Sequence, residues 1–352
     1  MKAVILVGGL GTRLRPLTLN TPKSMVPVLN TPFLELVLRR LSGFGVDEAV
    51  FALSHLAPTI ESYFGNGSAL GIDIKYVIES SPLGTAGAAR NALGHIHNAC
   101  LVMNGDIFTS LDITAMKECH ARHNAKVTIA LTKVDNPCAY GLVETTPDGR
   151  VRHFLEKPSP QEITTDLINA GTYIVEPDVL TDIPPDTVTS FERDIFPSLL
   201  ASGKPMYSFT DNNYWIDIGT PAKYHQLNRD LLLNNTSPEF LAKQGRPGVH
   251  PTARLEGPVL LGEGCSVGEG VVISGPTIIG RECHLGPGAI VSDAVIWHNV
   301  TFGAGCCIES SVIGNNCTLG PSCRLSECIV GERVTLPSDY CQTGGQIWPG
   351  LA

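Results

Sequence analysis

The sequence predicts an α/β sandwich around a mixed, mostly parallel sheet, followed by a parallel β-helix of hexapeptide repeats. Two patterns carry this expectation. Up to about residue 230, short apolar runs alternate with helix-like segments, whereas from about 255 to 336 the apolar residues recur at every sixth position. Length and composition agree: 352 residues suit two domains, and 43% hydrophobic with 17% charged residues describes a folded chain rather than a disordered one.

Ala3 to Val7 form the first apolar, strand-like run, which passes directly into Gly8-Gly9-Leu10-Gly11. Residues 33–41 place Phe33, Leu34, Val37, Leu38 and Leu41 on one helical stripe, stopped by Gly43. Further strand-like runs lie at Glu48–Leu53, Ile72–Ile78, Ala99–Met103 and Val127–Val134. In such sheets ligands bind beyond the carboxyl ends of the strands, where the Gly8 loop falls. Residues 232–254, rich in Asn, Pro and Gly, read as a linker, which sets domains at 1–231 and 255–352.

In the second half, bulky residues fall at Leu261, Val267, Ile273, Ile279, Leu285, Val291 and Trp297. A five-residue step then leads to Phe302, and the pattern continues through Ile308, Ile313, Leu319, Leu325, Val330 and Leu336. Four positions after a bulky residue comes a small one, among them Cys265, Cys283, Ala289, Val295, Cys306, Val312, Cys317 and Cys323. That column accounts for most of the eight cysteines, out of eleven, that follow residue 260. They read as small buried hydrophobes. The odd count and the lack of an export signal argue for reduced thiols, and the absence of C-x-x-C argues against a thiolate metal site. A cytoplasmic protein is the expectation.

The net charge is −9, yet residues 1–40 carry Lys2, Arg13, Arg15, Lys23, Arg39 and Arg40 against one acid, Glu35. This local reversal beside a glycine loop points to an anionic ligand, and a polyphosphate fits best. The loop is neither common phosphate motif: Gly9-Leu-Gly11-Thr-Arg-Leu14 lacks the third glycine of a dinucleotide fingerprint, and no Lys-Ser or Lys-Thr stands at Walker A spacing. No basic stripe suggests nucleic acid, and no apolar run approaches the roughly 18–20 residues that span a bilayer.

What remains, G-G-x-G-T-R-L-x-P-L-T followed by Pro22-Lys23-Ser-Met-Val-Pro27-Val, resembles the sugar-1-phosphate nucleotidylyltransferases, also called NDP-sugar pyrophosphorylases. The resemblance covers essentially the whole chain. It implies a Rossmann-like catalytic domain, a left-handed β-helix, and attack of a sugar-1-phosphate on the α-phosphorus of a nucleoside triphosphate with loss of pyrophosphate. Such a transfer needs positioning and charge neutralisation more than covalent help. Leu-Gly-Thr-Ala-Gly at 83–87 and Ile308-Glu-Ser-Ser311 resemble the mannose-1-phosphate guanylyltransferase branch, which implies GTP and mannose-1-phosphate as substrates. Thymidylyl, uridylyl or adenylyl transfer to glucose-1-phosphate is the alternative.

Carried over by motif, Arg13 and Lys23 would neutralise the triphosphate. Asp106, which ends Asn104-Gly-Asp, and Asp217 in W-x-D-I-G-T-P would be catalytic and hold Mg²⁺. Leu6, Gly8, Gly9, Gly11, Thr12, Glu79, Gly84, Thr85 and Asn104 would meet the nucleotide. Gly141, Glu156, Lys157 (within E-K-P) and Asn169 would meet the sugar phosphate. Homo-oligomer contacts would fall to the β-helix, whose faces and ends need covering.

Other features invite weaker readings. The pairs His95-x-His97 and His120-x-x-His123 have metal-like spacing but stand apart from the acids, and Trp215 reads as a core anchor. His284 and His298 within the repeats allow an acetyltransferase reading, since hexapeptide helices occur there too, but no cofactor-binding tail follows. A non-catalytic homologue that binds NDP-sugar is disfavoured by the compact first loop with both arginines present.

Overall fold

A computed structural model describes residues 1–54, 56–234 and 248–350. The chain forms two compact units, residues 1–9 with 34–217 and residues 10–33 with 218–352.

In the first unit, strands Lys2–Leu6, Glu48–Leu53, Asp73–Ile78 and Cys100–Asn104 pair in parallel, with Lys2–Leu6 between Glu48–Leu53 and Cys100–Asn104. The long strand Leu167–Val175 then runs antiparallel to Cys100–Asn104 and carries the rest of the nine-stranded sheet. That remainder includes the hairpin of Gly141–Thr145 and Val151–Glu156, and the parallel pair Val127–Lys133 with Met206–Thr210. Both faces of the central strands are apolar because both are covered. Val4, Val50 and Val102 join Ala86 and Ala89 of helix Gly84–Asn91 in one core. Phe51, on the other face, packs edge-on against Phe64 of helix Ala57–Phe64. Of the two histidine pairs, the second holds packing residues: His120 is buried against Thr128 and Glu176, and His123 stacks on Tyr207, whereas His97 of the first is exposed.

In the second unit, three six-stranded parallel sheets form the faces of the left-handed β-helix. Each rung pairs in register with the next: Leu261 lies beside Ile279, Ile279 beside Ile296, and Ile296 beside Ile313. This corrects the repeat phase. Ile296, not Trp297, takes the inward position, so the five-residue step precedes it. The small inward residues at the following corner are Ala294 and Ser311, which belong to the interior or bond to neighbouring rungs, rather than Val295 and Val312.

The physical reason lies on the outside of that face. Leu260, Ile278, Val295 and Val312 point outward yet are buried, because segments 10–33 and 218–233 pack there. Asn30 Nδ2 donates to Ile279 O (2.8 Å), Trp297 Nε1 to Tyr224 Oη (2.9 Å), and Arg229 pairs with Asp293. An apolar face on both sides hides the alternation that would fix the phase.

The interior thiols do more than fill space. Cys265, Cys283, Cys317 and Cys323 lie 2.9–3.1 Å from carbonyls of Gly280, Trp297, Gly331 and Pro337, each on the next rung. Burial pushes the Cys317 thiol up to about 11, so it stays a protonated donor at neutral pH. Of the expected linker, residues 232–233 end helix Pro221–Leu233 and residues 248–249 form the first β-helix strand. Residues 235–247 lie outside the described residues.

Candidate active site

Strand Lys2–Leu6 ends in the Gly8 loop beside the ends of its two parallel neighbours. Leu6 O accepts from Gly105 N (2.9 Å), which ties the start of this loop to the Asn104-Gly-Asp106 turn. Ser54 Oγ donates to Gly8 O at 2.6 Å. A Cβ on Gly8 would stand 3.3 Å from Ser54 Oγ and 3.5 Å from Glu79 Oε2, so the loop backbone runs close against Glu79. Glu79 follows strand Asp73–Ile78 and is only 8% exposed. Among the described residues its buried Oε1 has no hydrogen-bond partner, and burial raises its carboxyl above the ordinary pKa. A buried acceptor left unpaired costs free energy.

The segments that carry the two aspartates are joined by a short ladder. Trp215–Asp217 pairs antiparallel with Ile107–Thr109, and Asp217 lies opposite Ile107, the residue after Asp106. The indole of Trp215 anchors this strand by donating to Ala170 O (2.9 Å), but the residue is half-buried rather than in the core and packs edge-on against Tyr140. Tyr140 Oη donates to Asp217 Oδ2 at 2.6 Å. Among the described residues no group of three or more His, Cys, Asp or Glu gathers as a metal cage. Aspartate carboxylates are hard oxygen donors. Mg²⁺ suits them, because that ion takes one or two carboxylates and completes its shell with water and substrate phosphates.

The E-K-P residues lie on the hairpin. Glu156 is opposite Gly141, and a Cβ on Gly141 would come 2.6 Å from Phe154 Cζ and 3.0 Å from Glu156 Oε2. Glycine is what allows this approach. Lys157 N donates to Tyr140 O (3.0 Å), and its backbone is left-handed with φ 53°. For a non-glycine residue this strain is worth about 1–3 kcal/mol and is characteristic of functional turns. Burial, and then the charge of Glu192, raise the Glu156 pKa; Lys157 and Arg193 oppose them.

Asn169 sits where strand Leu167–Val175 breaks register, ahead of Gly171 with φ 66°. A Cβ on Gly171 would lie 2.3 Å from Ile107 Cδ1 and 2.6 Å from Asn104 Nδ2, so this bulge presses the Asn169 segment onto the aspartate turn. Asn169 Oδ1 accepts from Gly171 N (2.9 Å), and Nδ2 donates to Tyr173 Oη (2.8 Å).

Gly84 and Thr85, expected against the nucleotide, are engaged with segment 189–192. The amides of Ala86 and Gly87 donate to Thr189 O at 2.9 and 3.0 Å, so protein caps these first-turn donors of the helix. Thr85 Oγ1 donates to Glu192 Oε2 (2.8 Å) and accepts from Phe191 N (2.9 Å). Glu192 itself escaped the sequence reading. It lies in a π-helical turn, Phe191–Ile195, and only its contacts reveal it.

The remaining candidates belong to the second unit. Gly11 is left-handed (φ 61°) and opens the turn Thr12–Leu14, which leaves Thr12 and Arg13 exposed. Its carbonyl accepts from Thr18 Oγ1 (2.7 Å), and a Cβ at this glycine would be 3.0 Å from Lys23 Cβ. The glycine loop and the P-K motif are thus packed together. Thr21 Oγ1 donates to Glu332 Oε1 (2.6 Å), fixing this segment to the β-helix.

Comparison with known proteins agrees with this layout. A family described as nucleotidyl transferase matches residues 2–234, and the EIF2B subunit epsilon LbH domain matches residues 243–341. The chain is 40% identical to a mannose-1-phosphate guanylyltransferase of Mycobacterium tuberculosis, over 76% of this chain and 77% of that protein. It is 34% identical to a UTP–glucose-1-phosphate uridylyltransferase of Synechocystis, over 78% and 76% respectively. Among solved structures, HddC from Yersinia pseudotuberculosis complexed with GMP-PN superposes with TM-score 0.57 at 32% identity, covering 65% of this chain and 99% of that one.

Proposed function

The chain belongs to the nucleotidyl transferase family, and on that premise we propose that it joins GTP to mannose-1-phosphate, giving GDP-mannose and pyrophosphate. The observation that carries the reaction is the ladder that sets Asp217 opposite Ile107, one residue from Asp106. These two carboxylates would hold Mg²⁺, which supplies neutralisation of triphosphate charge at the reacting phosphorus. Tyr140 orients Asp217 through its hydroxyl. Lys157 binds the sugar phosphate, and Glu156 accepts sugar hydroxyls. Arg13 and Lys23 neutralise the triphosphate, and the backbone of the glycine loop lies against it. The attacking phosphate oxygen displaces pyrophosphate directly, so positioning rather than a covalent enzyme intermediate lowers the barrier.

The choice of guanine rests on Glu79. Guanine presents N1–H and N2–H₂ side by side, and an ionised carboxylate accepts both. The unpartnered Oε1 of Glu79 has the acceptor character that this edge requires. The guanylyltransferase relative supports the same substrates, whereas the uridylyltransferase relative supports UTP with glucose-1-phosphate.

Pyrophosphate release separates these readings when GTP, UTP, dTTP, ATP and CTP are crossed with mannose-, glucose- and N-acetylglucosamine-1-phosphate. GTP with mannose-1-phosphate should dominate. Dominance of another pair would refute the substrates, and silence across the grid from folded protein would refute the reaction.

The β-helix is assigned to self-association. Ile290, 46% exposed, lies on an outward column between Val272 and Cys307, an apolar strip on an otherwise polar face. The eleven cysteines are all free thiols, which supports a reducing, cytoplasmic setting. Among the described residues no helix is long and apolar enough to cross a membrane.

A further inference from the structure

Glu192 has no role in the reaction as derived so far, yet its carboxylate accepts three side-chain hydrogen bonds. Oε2 accepts from Thr85 Oγ1 (2.8 Å) and Ser190 Oγ (2.6 Å), and Oε1 accepts from Tyr173 Oη (3.0 Å). Tyr173 is fully buried. Donor and acceptor roles along this chain follow from chemistry alone. A carboxylate only accepts, so Tyr173 must spend its one proton on Glu192. The phenol oxygen can then only accept from its other partner, so the Asn169 atom 2.8 Å away must be the amide nitrogen. Gly171 N, a donor 2.9 Å from the other end of the amide, requires the carbonyl there. The side-chain amide of Asn169 is thereby held from both ends, by Gly171 N at its carbonyl and by a relay that begins at Glu192 at its nitrogen.

We infer that Glu192 is a positioning residue for the sugar: through Tyr173 it locks the Asn169 amide, and through Thr85 it ties that setting to the turn that opens helix Gly84–Asn91. This rests on the reading of Asn169 as a sugar-pocket residue. The consequence is selective. Without the relay the amide is held at its carbonyl end alone, so its N–H₂ group is no longer aimed, which weakens the sugar phosphate while leaving the nucleotide alone. Glu192 also faces Glu156, whose pKa its charge helps to raise, with Lys157 and Arg193 opposing.

The test measures equilibrium binding by calorimetry, with mannose-1-phosphate titrated in the presence of a non-hydrolysable GTP analogue and the analogue titrated separately. Glu192→Ala and Tyr173→Phe should each weaken mannose-1-phosphate roughly tenfold or more, as expected for a lost orienting bond. Analogue binding should change less than about threefold in the same variants. Glu192→Gln keeps an acceptor for Tyr173, and the Thr85 and Ser190 hydroxyls can turn to accept its amide, so it should recover part of the loss. A merely structural role would weaken both ligands together in step with a fall in melting temperature, and that result overturns the inference. So does unaltered sugar-phosphate binding in Tyr173→Phe. Wild-type binding without pyrophosphate release would refute the reaction while leaving this inference standing, whereas absence of wild-type sugar-phosphate binding would overturn both.

Discussion

Replacing Glu79 by Gln exchanges one carboxylate oxygen for an amide nitrogen at nearly constant volume. With guanine bound, two charge-assisted hydrogen bonds are at stake, each worth about 1.5–3 kcal/mol. Gln keeps one acceptor but sets a donor against the other guanine N–H. The expected loss is about 2–3 kcal/mol, or roughly 30- to 150-fold in kcat/KM for GTP. The same amide offers one donor and one acceptor, the complement of the O4 and N3–H of uracil or thymine, so UTP and dTTP should lose less or gain.

Stability should move the opposite way. Burial raises the Glu79 pKa above its ordinary 4.5, so the folded chain holds this proton more tightly than the unfolded chain does. The stabilisation linked to that proton is fullest below the ordinary value and is lost as pH rises through the folded value. Glu79→Gln has no such titration and should therefore melt higher than wild type near neutral pH, with the difference closing at about pH 4. Steady-state pyrophosphate release with each nucleotide, paired with thermal melts at both pH values, gives the readout. Unchanged GTP kinetics would refute the base-reading role, and a lower melting temperature at neutral pH would refute the burial argument.

Two smaller changes probe the scaffold that holds the site. Gly171→Ala adds a Cβ 2.3 Å from Ile107 Cδ1 in a left-handed backbone; it should cost about 2–4 kcal/mol in urea unfolding, and a cost near zero would contradict the bulge geometry. Thr172→Val replaces a buried hydroxyl that has no partner among the described residues, beside a small cavity lined by Val37, Leu41, Met103 and Phe108. It should stabilise by about 1 kcal/mol, and a clear loss of stability would mean the hydroxyl is satisfied.

Much of this architecture is legible in the chain itself, and the misreadings have physical causes. Strand Glu48–Leu53 and the helix ended by Gly43 stand where their apolar patterns put them, because each buries a face with its own period. The hexapeptide rhythm announces the β-helix for the same reason. It slips by one residue at Trp297 because the outer face at Ile278 and Val295 is also buried, so inward and outward positions look alike. Asp106 and Asp217 are visible as acids at strand ends, but only the ladder shows that Asp217 lies opposite Ile107, the residue after Asp106. Thr85 is visible in its motif, yet its partner is 107 positions away, and no local pattern marks Glu192. Contacts that depend on distant pairing leave no periodic trace.

The central claim is nucleotidyl transfer at the Asp106–Asp217 pair, and a Mg²⁺ titration of pyrophosphate release from GTP and mannose-1-phosphate tests it most directly. Wild-type protein should show saturable dependence on Mg²⁺ and none of the activity in excess EDTA. Asp106→Asn and Asp217→Asn, folded by circular dichroism, should fall about a thousandfold. Full activity in EDTA, or wild-type rates in either variant, would contradict the account.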